Sequence, residues 1–123
     1  MDAASNAHIS ATGWHALCAA LPATSASMRY LRLNRNPSLG ALEASEALGG
    51  AARALPALRV LLVNECGFAE DSAAALAAAL RGAPRLHILG MSGWRRGPGD
   101  AVAARIAEGL VGSAVEWLEL SAA

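Results

Sequence analysis

The groups in this chain that could do chemistry are few and scattered. His8, His15 and His87 stand apart, with no H-x-x-x-H pair and no Cys/His ligand spacing, so no metal site is legible. Cys18 and Cys66 belong to no CxxC motif and read as two buried free thiols, which suits a reducing compartment. Glu43 and Glu46 fall in one helical stretch, and Glu116 and Glu119 bracket the last strand. Neither pair has an acid/base partner in the sequence around it. Gly97-Pro98-Gly99 lacks the Lys-Ser/Thr that a phosphate-cradling loop requires. The sequence therefore proposes no catalytic residue and no cofactor, and it reads as a non-enzyme.

The elements that would hold these side chains follow a period. Setting Met28-Arg-Tyr-Leu-Arg-Leu-Asn-Arg-Asn36 over Leu58-Arg-Val-Leu-Leu-Val-Asn-Glu-Cys66, Leu86-His-Ile-Leu-Gly-Met-Ser-Gly-Trp94 and Val115-Glu-Trp-Leu-Glu-Leu-Ser-Ala-Ala123 aligns apolar residues at steps of 30, 28 and 29. A unit of this length holds one strand and one helix. Neither buries its apolar face alone, so the units must stack as a solenoid.

Within each strand, Leu31 and Leu33, Leu61 and Val63, Leu89 and Met91, and Leu118 and Leu120 sit two apart, which sends both members of a pair to one face. Ala7 and Ile9 form a fainter fifth copy at a shorter step of 24 residues. Between strands the period becomes helical, at Leu17 and Leu21, Leu48 with Ala51 and Leu55, Leu76 and Leu80, and Ile106 and Leu110. Thr12-Gly13, Pro37-Ser38, Asp71-Ser72 and Gly99-Asp100 mark helix starts, and Pro22, Pro56 and Gly82 with Pro84 mark ends. Gly49-Gly50 predicts a kink or split in the second helix.

Strands joined by helical crossovers must run parallel. The expected fold is thus α/β, with about five parallel strands on one side and about four helices on the other. Strands lie about 4.8 Å apart and helices about 8 to 10 Å, so such a stack curves with its strands inside. One domain covers residues 1–123, in units of approximately 1–27, 28–57, 58–85, 86–114 and a truncated 115–123.

Composition agrees with a packed domain. The hydrophobic fraction is 54%, and ten acidic residues balance ten basic ones, all arginine. The whole chain has no electrostatic footprint for nucleic acid or for an anionic membrane, and no apolar run is long enough to insert in one. Met1-Asp-Ala-Ala-Ser carries an acid where a leader would be positive, which points to an intracellular, cytoplasmic protein.

The pattern L-x-x-L-x-L-x-x-N/C resembles the leucine-rich repeats of the ribonuclease-inhibitor-like type. The best match is Leu58-Arg-Val-Leu-Leu-Val-Asn-Glu-Cys66-Gly, followed by Leu76, Leu80, Pro84 and Leu86. The resemblance implies that Asn36 and Cys66, with Thr12 as a substitute in the first unit, turn inward to satisfy loop backbone. Trp94 and Ala123 break the pattern, and Ser92-Gly-Trp-Arg-Arg-Gly-Pro-Gly-Asp100 reads as a reshaped turn. The resemblance also implies polar caps at both ends. None is legible before Ala7 or after Leu120, so the expectation is that another chain, or further repeats, cover the ends.

Alternation assigns the strand face three columns: Tyr30, Val60, Ile88 and Trp117; then Arg32, Leu62, Gly90 and Glu119; then Asn34, Asn64, Ser92 and Ser121. His8 and Ser10 would extend the second and third columns into the first unit. The first column is apolar throughout, the composition of a protein-binding stripe with aromatic anchors. The alternative is that neighbouring side chains or loops cover it. Arg35, Trp94, Arg95 and Arg96 lie on the rim at strand exits. Activators of Ran-type GTPases use a similar scaffold with specific rim residues, a constellation that does not match here residue by residue. The expected function is protein-protein interaction, as a scaffolding subunit of a larger complex. The alternatives are the recognition segment of a longer receptor and a GTPase-activating regulator.

Overall fold

A computed structural model describes residues 1–5, 8–24, 26–93 and 99–120. Four helices alternate with four short strands: α1 (Ala11–Thr24), β1 (Tyr30–Arg32), α2 (Leu42–Arg53), β2 (Val60–Leu62), α3 (Glu70–Leu80), β3 (Ile88–Gly90), α4 (Gly99–Leu110) and β4 (Trp117–Glu119). A 3₁₀ turn, Pro37–Gly40, precedes α2. The strands form one parallel sheet in the order β1-β2-β3-β4, an open layer that is not curled on itself. Each helix packs against its neighbours in sequence.

The core lies between the sheet and the helices. Leu31, Leu61 and Leu89 are in register on adjacent strands and wholly buried, together with Leu48, Leu76 and Ile106 from the helices. Burying one such side chain stabilises the fold by roughly 1.5 to 3 kcal/mol. The alternating pairs and helical apolar positions read from the sequence thus meet in a single hydrophobic cluster.

Three local expectations are corrected. The extended segment of the first unit is not at Ala7 and Ile9. Instead, Asp2 forms an isolated parallel bridge with Arg32, reinforced by Ala3 N donating to Arg32 O and Ser5 N to Asn34 O, each at 2.9 Å. The step from Asp2 to Arg32 is 30, the full period. Ile9 packs partly buried against the core before α1, and Ala7 lies outside the described residues. Second, α2 runs unbroken through Gly49-Gly50. Gly49 is where α2 approaches α3, and a Cβ there would collide with the Cβ of Ala79. The glycine serves packing, not a bend. Third, Pro22 does not end α1, which continues to Thr24. The Thr24 hydroxyl donates to Ala20 O at 3.0 Å in that last turn.

The strand-exit turns repeat a backbone conformation. Ser5, Arg35 and Glu65 have φ of 62°, 59° and 57°, and Gly93 has 91°. A left-handed residue is disfavoured for anything but glycine, so three non-glycine cases at one turn position imply a turn imposed by the surrounding unit.

Inside the turns, Asn36 and Cys66 are buried, as expected for that position. The Asn36 amide donates to Leu33 O at 2.7 Å and to Ala3 O at 2.9 Å. The Cys66 thiol donates to Leu33 O at 3.1 Å, spanning the same 33 residues as Asn36 to Ala3. Thr12 takes no such place, since it is exposed in the first turn of α1.

Candidate functional site

The outer face of the sheet, opposite the helices, brings together most of the residues singled out from the sequence. Tyr30, Val60, Ile88 and Trp117 are direct register partners across the four strands. Tyr30 is 44% exposed, Ile88 38% and Trp117 64%, while Val60 is half-buried. No described part of the chain covers this column. Large apolar side chains in water at adjacent positions form a patch rather than scattered surface residues.

The second column is Arg32, Leu62, Gly90 and Glu119, again in register. Its two ends carry opposite charges. The Arg32 guanidinium keeps a 3.7 Å contact with Asp2, and Arg32 Nε is buried without a hydrogen-bond partner. Half exposed and long, that ion pair contributes at most about 1 kcal/mol. Gly90 lies beneath Leu62 and Asn64, so the middle of this column is low and apolar. Glu119 is exposed, and among the described residues its carboxylate has no ion-pair partner.

The third column is tied into the fold by hydrogen bonds. Asn34 Oδ1 accepts from the Asn64 amide at 2.8 Å, and Asn64 Oδ1 accepts from the Ser92 amide at 2.7 Å. These side chains hold each turn to the next, satisfying amides where the strands end. Ser92 is half-buried beside them, and Ser121 lies outside the described residues. His8 and Ser10 precede α1 rather than extending the columns.

On the rim, Arg35 is exposed and its Nε donates to Ser5 Oγ at 3.0 Å. Trp94, Arg95 and Arg96 lie outside the described residues.

One set of charges was missed in the sequence. Arg29, Arg59, His87 and Glu116 immediately precede the first strand column, and all four are exposed. The same 30, 28, 29 period would have found them. At the strand entries Arg29, Arg59 and Glu116 repeat the order of signs that Arg32 and Glu119 set in the second column, basic at β1 and β2 and acidic at β4. His87 Nδ1 contacts Arg85 O. The side chains of Arg29, Arg59 and Glu116 form no ion pair among the described residues.

The thiols are placed for packing. Cys18 and Cys66 are both free and buried, and burial pushes each thiol up to about 11. A thiol that holds its proton at neutral pH is a poor nucleophile and a poor metal ligand. Cys18 lines a cleft of about 250 Å³ between α1 and α2 with His15 and Pro22. Among the described residues, no three His, Cys, Asp or Glu side chains are grouped to hold a metal ion. Nor, among them, is any helix long and apolar enough to cross a membrane.

No family model, curated protein or solved structure matches this chain.

Proposed function

We propose that this chain is a leucine-rich-repeat module of the ribonuclease-inhibitor-like type that binds another protein across its outer sheet face. The observation that carries the reading is the apolar column Tyr30, Val60, Ile88 and Trp117, which no described residue covers, on a sheet whose opposite side is packed at β1, β2 and β3. Aromatic residues at the two ends of such a column are the types that dominate binding energy at protein interfaces.

The repeat assignment rests on recurring detail. The steps of 28 to 30 residues, the left-handed turn residues Ser5, Arg35 and Glu65, and the inward bonds of Asn36 and Cys66 describe one unit used several times. In this reading the sheet is the inner wall of a curved stack and the helices its outer wall. The role is that of a scaffolding subunit in an intracellular complex, where Cys18 and Cys66 stay reduced. Binding, not catalysis, is its activity.

The test is purification of the tagged chain from its native source beside Tyr30→Ala and Trp117→Ala variants. Both residues are exposed, so circular dichroism should not change, while the co-purifying protein should be lost or reduced at least fivefold. Full recovery of the same partner by both variants would sink the reading.

A further inference from the structure

The partner that fits this face has a definite shape and direction. Resting on the reading of the sheet face as a protein-binding surface, we infer that its occupant is a single amphipathic α-helix from a different protein. That helix lies across the four strands with its N-terminus over β4 and its C-terminus over β1.

The spacing comes first. Adjacent strands lie about 4.8 Å apart, so Tyr30, Val60, Ile88 and Trp117 repeat at that interval. An apolar seam on a helix repeats every three or four residues, and at about 1.5 Å per residue that is about 5.3 Å. Four seam residues at i, i+3, i+7 and i+10 therefore meet the four column residues nearly one to one. An extended segment repeats same-face side chains about every 6.7 Å and falls out of step after two strands.

The backbone argues the same way. The column offers side chains only, because the amides and carbonyls of the central strands are engaged in the parallel ladder. An extended peptide laid over Val60, Leu62 and Ile88 would bury its own backbone groups against apolar surface with nothing to bond. A helix has already satisfied its own.

Charge sets the direction. In the second column Arg32 stands at the β1 end, beside Asp2, and Glu119 at the β4 end, while the exposed residues Arg29, Arg59 and Glu116 repeat the same order of signs at the strand entries. A helix carries partial positive charge at its N-terminus and partial negative charge at its C-terminus. The favourable alignment puts the free amides over the glutamates and the free carbonyls over the arginines.

The helix is assigned to another protein because none of the described helices can supply it. Among the described residues the large exposed apolar ones are Met1, Tyr30, Leu42, Ile88, Val111, Trp117 and Leu118. Of these only Leu42 belongs to a helix, at its first residue, so no described helix turns a large apolar seam outward.

The probes are three synthetic 14-residue peptides, titrated into the ¹⁵N-labelled full chain and followed through backbone amide shifts. The first is helix-stabilised, with leucine at i, i+3, i+7 and i+10, basic residues flanking its N-terminal turn and acidic residues its C-terminal turn. The second has these charges exchanged, and the third has the first one's composition with central prolines. The first should shift the amides of β1 to β4 and bind at least tenfold more tightly than either other. A chain carrying Arg32→Glu and Glu119→Arg should narrow or reverse the preference between the first two. Equal binding of the first two peptides, tighter binding of the proline peptide, or no shift at the strands with any of them would overturn the inference. So would self-association through the same amides. None of these outcomes depends on capture of the native partner, so the helix can fail while the binding face stands.

Discussion

The two faces of the sheet share one backbone and one ladder but differ in what opposes them. On the inner face Leu31, Leu61 and Leu89 are the same residue in the same register, each with no exposed surface. The outer face at the neighbouring position has Tyr30, Val60, Ile88 and Trp117, four different side chains in or near water. The inner residues fill equivalent spaces beneath successive helices, so close packing dictates one shape repeatedly. No described residue packs over the outer ones. Packing accounts for the uniformity, and its absence leaves the outer column free to answer to a partner. The contrast weakens at β4, where Leu118 takes the inner register but stays 37% exposed because α4 buries only Ile106 and Gly109.

The largest expected difference lies between adjacent residues of β2. Leu61→Ala should cost about 3 to 5 kcal/mol, since the rigid core leaves a cavity in place of the lost methyl groups. Val60→Ala, on the outer face, should cost less than about 1 kcal/mol. Urea denaturation of the two variants measures both. Comparable losses would mean that the outer column is packed, and the distinction between the faces would collapse.

Much of this contrast is legible in the sequence, because alternation fixes which residues share a face and the period fixes which are neighbours. The register of Tyr30 with Val60, Ile88 and Trp117 follows from those two numbers alone. The first unit was misread because Met1, Asp2 and Ala3 lack the paired large apolar residues seen at Leu31 and Leu33, while Ala7 and Ile9 imitate them at the wrong step. Gly49-Gly50 looks like a break because helix propensity is a local quantity, whereas the glycine answers to Ala79 thirty residues away. The charge order at the strand entries was hidden for a similar reason. Arg29 and Glu116 are unremarkable singly and form a gradient only once the strands are aligned.

The thiols test the buried side by chemistry rather than volume. Burial raises Cys18 and Cys66 to about 11 from the ordinary value near 9, so the folded chain holds these protons more tightly than the unfolded one. Their contribution is complete below pH 9 and is lost as the pH rises through 11, roughly 2 to 3 kcal/mol per thiol. The urea midpoint should therefore fall over that window. A Cys18→Ala, Cys66→Ala variant should lose most of the slope there, although its stability near pH 7 will be lower for lack of two packed sulfurs. An unchanged slope would place the thiols closer to water than the inner face allows.

The smallest effect probes the point where the contrast between faces fails. Asn64 belongs to the outer columns by alternation, yet its Oδ1 accepts from the Ser92 amide at 2.7 Å, so its side chain works for the fold. Asn64→Ala leaves that amide without its acceptor and should cost about 1 kcal/mol, against a few tenths for a truncation at an ordinary surface position. Asn64→Asp keeps an oxygen in the same place and should restore most of the loss. Hydrogen exchange at the Ser92 amide separates this from a general loosening: exchange there should quicken in Asn64→Ala and remain slow in Asn64→Asp. If Asn64→Ala leaves that amide protected, the side chain does not hold the turn, and Asn64 joins Tyr30 and Trp117 in the set proposed to face a partner.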